Sequence, residues 1–208
     1  MGLTSGTSAT TKPASRKVAA RSFSKKWAGR GYEKGDTPSF WLELLRDVVG
    51  MEDVTTNVLF EQRTSRRGFI DVTIADAKTI IEQKSLGVDL DKPEERQGVM
   101  VTPFEQARNY ANTLPNSQRP DYIIVCDFNI FRIHNLNKEN PESDYIEFTL
   151  SELPDQLYLL DFLIDPQRAR IKREEKVSIT AGTLIGRLYS LLRQQYIDPD
   201  SSESQHSL

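Results

Sequence analysis

Two neighbouring runs of strand-forming residues carry ionisable side chains in their interiors, and this combination restricts the fold more than any other feature of the chain. The runs are Phe69-Ile70-Asp71-Val72-Thr73-Ile74-Ala75 and Thr79-Ile80-Ile81-Glu82-Gln83-Lys84-Ser85. The residues between them are too few for a crossover, so the runs are expected to pair antiparallel. Period-two alternation turns Glu82 and Lys84 to one face, with α-carbons about 6.6 Å apart. A carboxylate among Phe69, Ile70, Val72 and Ile74 is costly to bury without compensation. Asp71, Glu82 and Lys84 therefore need a shared reason. One is chemical, because two hard oxygen ligands beside an ammonium suit metal-assisted hydrolysis of a phosphodiester. The other is a structural salt bridge between Lys84 and the acids. A Glu-x-Lys triplet alone carries little weight. Glu174-Glu175-Lys176 repeats it in a charged stretch without apolar alternation, where it reads as a solvated helix or linker.

The surrounding pattern predicts an α/β fold with a mixed central sheet flanked by helices. Arg16 to Ala28 reads as a first helix stopped by Gly29-Arg30-Gly31. Asp36 or Thr37 is the expected cap of a second helix, with Pro38 in its first turn and an end near Val49. Its apolar stripe is Phe40, Trp41, Leu44, Leu45, Val48 and Val49. Asn57 to Arg63 adds a strand before the two already described, completing a meander. Leu86 to Met100 reads as a polar loop with Asp89, Asp91, Glu94 and Glu95. Thr102-Pro103-Phe104-Glu105 opens a helix with a capping box and Pro at the first helical position, and Pro115 closes it. Asp121 to Cys126 then reads as a buried strand, Asn129 to Asn135 as its hairpin partner, and Tyr145 to Phe148 as an edge strand. A helix followed by a strand returning to the same sheet makes the sheet mixed. Leu157 to Ile164 is expected as a short apolar helix. After a charged stretch over 165 to 176, a last helix is expected from about Ile179 to Tyr196 on Leu184, Leu188, Leu191 and Leu192.

Composition sets limits. A chain of 208 residues, 38% hydrophobic, holds one domain of ordinary size plus flanking pieces. No segment approaches the roughly 20 apolar residues of a membrane span, so no membrane partner is expected. The single cysteine, Cys126, lies in an apolar run and reads as a packed core residue in a reducing, intracellular setting. His134 and His206 are distant from each other and, with one cysteine, cannot supply zinc's usual ligands. Charge is unevenly spread. Of 27 Lys and Arg, seven lie in residues 1 to 32, which contain no acid, so the remaining 20 face all 30 Asp and Glu. The basic arm reads as a phosphate-backbone contact or as a solubilising terminus, disordered over residues 1 to 15. A transit peptide ranks below both, because Phe23 to Tyr32 looks like part of the fold.

With these residues in view, the chain resembles a known family. Asp71, Glu82 and Lys84 in consecutive strands, followed by Gln106-x-x-x-Tyr110 on a helix, resemble the PD-(D/E)XK nuclease superfamily. Gly29-Arg30-Gly31-Tyr32-Glu33-Lys34-Gly35-Asp36-Thr37, Phe40-Trp41-Leu42-Glu43-Leu44-Leu45, Ile81 to Ser85, Thr102-Pro103-Phe104 and Ser117-Gln118-Arg119-Pro120 narrow the likeness. They resemble the N-terminal nuclease region of MmeI-type (type IIL/IIG) restriction-modification enzymes, over roughly residues 20 to 200. The resemblance implies a restriction-endonuclease-like core with a C-terminal helical extension, the nuclease domain over 16 to 165 and a helical connector from 166 to 208. It implies a Mg2+-dependent deoxyribonuclease, with Mn2+ as substitute, acting on double-stranded DNA in a prokaryotic cytoplasm through transient self-association. Asp71, Glu82 and the Gln83 backbone carbonyl would hold the metal, and Lys84 would be catalytic with the two acids. Gln106 and Tyr110, which share a helix face, would border the site and contact DNA. Glu43 would match an acidic residue on the first core helix of related nucleases, although its helical position points away from the apolar stripe. Ser85 would order the site through its hydroxyl.

The chain departs from the family in what it lacks. It has no Gly-rich cofactor loop and no Asn-Pro-Pro-Tyr type motif, so methylation with S-adenosylmethionine and target recognition are expected in an absent part of a longer enzyme. A natural stand-alone remnant is the other expectation. Two rival functions remain. One is a catalytically silent nuclease-fold module for DNA binding or assembly. The other is a glycosidase-like hydrolase using the Asp71/Glu82 pair, which Lys84 beside that pair disfavours.

Overall fold

A computed structural model describes residues 13–63, 68–96 and 98–193. Helix α1 spans Pro13–Trp27 and α2 spans Glu33–Glu43, which runs on as a wide π turn over Leu44–Val49 to Gly50 in the left-handed conformation. A short helix α3, Val54–Asn57, leads into the strands β1 (Val58–Arg63), β2 (Phe69–Ile74) and β3 (Thr79–Gln83). A small hairpin, β4 (Glu94–Arg96) and β5 (Val99–Val101), precedes helix α4, Pro103–Ala111. Strands β6 (Tyr122–Cys126), β7 (Ile130–Asn135) and β8 (Tyr145–Thr149) complete the sheet. Helix α5, Leu153–Gln156, continues as a 3-10 turn over Leu157–Leu163, and α6 spans Pro166–Arg193.

The six-stranded sheet has the order β1-β2-β3-β6-β7-β8. All neighbours pair antiparallel except β3 and β6, which run parallel. A parallel pair needs a crossover, and α4 provides it. Strand β3 is thereby central and buried throughout, its polar Thr79, Glu82 and Gln83 included.

Each face of the sheet has its own core. On one face α1 and α2 bring Phe23, Trp27, Phe40 and Trp41 against Phe128 and Phe131, with ring centroids such as Phe40–Phe128 5.0 Å apart and edge-on. On the other face α4 lays Phe104, Ala107 and Ala111 over Ile70, Ile80, Ile123 and Val125. The α4 start is a complete capping box: the Glu105 N–H donates to Thr102 Oγ1 at 3.2 Å and the Thr102 N–H to Glu105 Oε2 at 2.7 Å.

Several expectations need correction. Helix α2 starts at Glu33, not at Asp36 or Thr37, because the Asp36 carboxylate reaches back to the Tyr32 N–H at 3.0 Å and extends the helix by a turn. Pro38 therefore sits inside the helix, and the Thr37 hydroxyl bonds the Glu33 carbonyl there. The loop over 86 to 100 contains the β4–β5 hairpin, turned at Gly98 (φ 82). The charged stretch at 165 to 176 is helical from Pro166 and joins the last helix. Pro13 to Ser15 belong to α1, while residues 1–12 and 194–208 lie outside the described residues. Helix α1 is integral to the fold, with Ala20, Phe23 and Trp27 buried. Its cations face acids of the same chain, Arg16–Asp161 at 2.9 Å, Lys17–Asp155 and Lys26–Glu43 at 2.6 Å. The chain divides after Pro166 into two compact units. The second contains most of α6, whose Leu184, Leu188 and Leu191 recur at helical spacing. Among the described residues no helix is long and apolar enough to cross a membrane.

Candidate functional site

The site forms where two adjacent strands stop pairing. The β2–β3 ladder runs Ile74↔Thr79, Thr73↔Ile80 and Val72↔Ile81 and ends there. One step further in the same register, Asp71 stands opposite Glu82. On its other side Asp71 is also outside the ladder, which steps from Phe60↔Val72 to Gln62↔Ile70. The skipped partner, Glu61, has φ 50, a left-handed conformation that costs a non-glycine residue energy. The face of β2 changes at this point, since Ile70 packs with the α4-side cluster and Val72 and Ile74 with the other. With its strand neighbours withdrawn, the Asp71 carboxylate accepts the Gln83 N–H at 2.7 Å.

Glu82 and Lys84 share the α4 face of β3. Both are 2% exposed, and the Lys84 ammonium donates to Glu82 Oε1 at 2.7 Å and to Gln106 Oε1 at 3.2 Å. The Gln83 peptide turns the other way. The Lys84 N–H bonds the Cys126 carbonyl on β6 at 2.7 Å, and the bond is trans. The Gln83 carbonyl therefore points to the opposite side, toward Asp71. The Asp71 carboxylate and the Gln83 carbonyl thus face the gap between β2 and β3, close enough to Glu82 for the Asp71 charge to act on it. Among the described residues no three His, Cys, Asp or Glu side chains gather into a metal cage, so any cation here takes its remaining ligands from backbone and water.

Electrostatics mark the pair as strained in its charged form. Burial raises the Asp71 carboxyl to about 6, against the lowering effects of the Gln83 N–H and of Lys84. Burial, and next the neighbouring Asp71 charge, raise Glu82 to about 8 despite its bond to Lys84. Tyr110, one turn beyond Gln106, is raised by burial and by Glu82, and shares a side-chain hydrogen bond with Gln106. Its ring fills the space over Gly68, where a Cβ would lie 2.6 Å from Tyr110 Cε1.

Of the sequence-identified residues, the structure brings Asp71, Glu82, Gln83, Lys84, Gln106 and Tyr110 together. Ser85 stands beside them, its hydroxyl accepting the Glu33 N–H at 3.2 Å. Glu43 lies elsewhere: its carboxylate holds Lys26 Nζ at 2.6 Å and Trp27 Nε1 at 3.2 Å. The acid that α2 turns toward the site is Glu33, whose charge acts on both Asp71 and Glu82. Ten residues separate it from Glu43, which rotates it about 80° around the helix axis. Starting the helix at Asp36 left Glu33 outside it and hid this signal. Glu33, Lys34, Phe60, Glu61 and Asp71 line a cavity of about 400 Å³. On the other flank Gln106, Tyr110, Asn109 and Arg96 line a groove of about 520 Å³. Asp127 fastens the loop after Lys84, accepting the Gly87 N–H at 3.1 Å and the Asn129 and Ile130 N–H groups.

The six-stranded mixed sheet with helices on both faces is consistent with a nuclease-like core. No curated protein and no solved structure matches the chain. A family model, MmeI, N-terminal domain, matches residues 18–195, covering both the sheet and the paired carboxylates. The chain belongs to the MmeI N-terminal domain family.

Proposed function

We propose that this chain is the Mg2+-dependent DNA endonuclease domain of a combined restriction-modification enzyme. The observation that carries the reading is the placement of Asp71, Glu82 and Lys84 at the open end of the β2–β3 ladder, in a chain of this family. The donor set fits a hard divalent cation. Two carboxyl groups raised chiefly by burial, Asp71 next by Glu33 and Glu82 next by Asp71, would be relieved by a cation between them, and all available donors are oxygens. Asp71, Glu82 and the Gln83 carbonyl would hold Mg2+, or Mn2+ in its place. The bound cation would acidify a water and neutralise charge on the phosphate.

The chain's own groups do the rest. Lys84, whose ammonium donates to Glu82 Oε1, would orient the attacking water or stabilise phosphate charge as a point charge. Gln106 restrains the ammonium from the α4 side. Gln106 and Tyr110 line the groove that would receive double-stranded DNA. Cutting both strands requires two such sites, hence transient self-association. A prokaryotic cytoplasm is the setting this chemistry implies.

Calorimetric titration of Mn2+ with a short duplex into wild type and Asp71→Asn tests the site. Binding that the substitution removes is the expected result. Lys84→Ala should abolish cleavage by the enzyme while leaving the fold intact, and retained cutting would sink the assignment. One observation favours the silent-module reading, the closed Lys84–Glu82 ion pair. Absence of Mn2+ binding in wild type would select it.

A further inference from the structure

Gln83 lies between Glu82 and Lys84, and alternation sends its side chain to the opposite face of β3, away from them. There the amide is buried and saturated. Its Oε1 accepts the Trp41 Nε1–H at 2.7 Å, and its Nε2 donates to the Lys84 carbonyl and the Cys126 carbonyl, each at 3.0 Å. An amide offers one acceptor group and two N–H donors, and an indole N–H can only donate. The Trp41 contact therefore fixes which way round the amide sits. Only Gln meets this combination at this length: Glu would set an oxygen against two carbonyls, and Met would remove all three bonds, leaving the Cys126 carbonyl the Lys84 N–H alone.

The three partners come from α2, from the end of β3 itself and from the end of β6. They meet where β3 has lost its ladder to β2. The backbone of the same residue gives its N–H to Asp71 at 2.7 Å. Gln83 is thus tied to Asp71 by its main chain, to Lys84 by its side chain and to Glu82 by a peptide bond.

We propose that the Gln83 side-chain amide is a positioning residue that clamps the free end of β3, holding Glu82, Lys84 and the Gln83 carbonyl in register with Asp71. The proposal rests on the nuclease reading above, and deepens it by assigning a role to the face of the strand that touches neither metal nor DNA. Without the clamp, Glu82 sits on a strand end with one paired side, under the charge of Asp71 from β2, and the oxygen ligands drift apart. Fully satisfied buried polar networks supply this kind of rigidity, and loss of a group supporting metal ligands typically weakens metal binding about 10 to 100-fold.

The test compares wild type, Gln83→Met and Gln83→Glu as the full 208-residue chain. Each is checked for a cooperative melt and titrated with Mn2+ in the presence of a short DNA duplex. The Trp41 indole N–H resonance is followed in a 1H–15N spectrum. The expected result is a folded Gln83→Met with a shifted Trp41 indole signal and Mn2+ binding weaker by about 10-fold or more. Should Gln83→Met fail to fold, Gln83→Glu carries the comparison, with weakened Mn2+ binding again expected. A folded variant binding Mn2+ within about twofold of wild type overturns the clamp while leaving the nuclease reading standing. A wild type that binds no Mn2+ overturns the nuclease reading, and the clamp with it.

Discussion

At the scale of single residues, the free-energy cost of the site is concentrated in Asp71 and Glu82. Both have folded-state pKa values above their ordinary 3.8 and 4.5, at about 6 and about 8, chiefly through burial. A raised carboxyl group binds its proton more tightly in the folded state. Its contribution is therefore fully present below the ordinary value and is lost as pH rises through the folded value. The buried His134 acts in the opposite sense: burial lowers it from 6.5 to about 4, so stability gained from it rises across that interval and is complete above it. Asp71 has lost its contribution by about pH 6, so the window left to Glu82 alone is about pH 6.5 to 8. In EDTA, thermal melts of the wild type should fall across that window, and Glu82→Gln should flatten the profile. A flat wild-type profile would show that Glu82 is not held this way. Metal competes with the same protons, so Mn2+ affinity should rise over the same interval.

Elements set the geometry that these residues require. The capping box at Thr102 anchors α4, which carries Gln106 over Lys84. Thr102→Ala should cost about 1 kcal/mol in a denaturant titration, the usual value of a lost N-cap. The segment joining α1 to α2 is held tighter still. A Cβ on Gly31 would lie 2.4 Å from the Phe128 ring, and the Gly31 carbonyl accepts the Leu86 N–H at 3.0 Å, just after the site. Phe128 is fully buried among Trp27 and Phe40, so it has little room to yield. Gly31→Ala should destabilise by about 1 to 3 kcal/mol, as overpacking of a dense core does. A variant as stable as wild type would mean that the Asp127–Phe128–Asn129 turn adjusts freely.

For the whole molecule, binding and stability are linked. A cation that binds the folded chain alone stabilises it by about 2.7 kcal/mol at a concentration 100 times its Kd. Mn2+ should therefore raise the melting temperature of wild type and leave Asp71→Asn unmoved, a comparison that needs no DNA. Charge organisation bears on the partner. The cations of α1 are committed in part to Asp155, Asp161 and Glu43, so the basic start of the chain offers less free charge to a phosphate backbone than its composition implies. On the proposed nuclease reading, DNA would be held largely by the groove beside Gln106 and Tyr110 and by any cation at the carboxylates.

The amino-acid sequence by itself determined the elements and the chemical inventory. Period-two runs placed β2 and β3, a continuous apolar run placed β6 with β7 as its hairpin partner, the Thr102–Glu105 box placed the start of α4, and aliphatic surroundings singled out Asp71, Glu82 and Lys84. These signals are local, because alternation and capping depend on residues a few positions apart. Tertiary structure alone decided which strand became central, where the β2–β3 ladder ends and which acid of α2 faces the site. Glu33 rather than Glu43 approaches Asp71 because the Asp36 carboxylate recruits the Tyr32 N–H and starts the helix a turn early. The β4–β5 hairpin was hidden by its charges, and the Gln83 amide by its ordinary place between two conspicuous neighbours. Its partners Trp41 and Cys126 lie 42 and 43 residues away, a separation that only the folded chain closes.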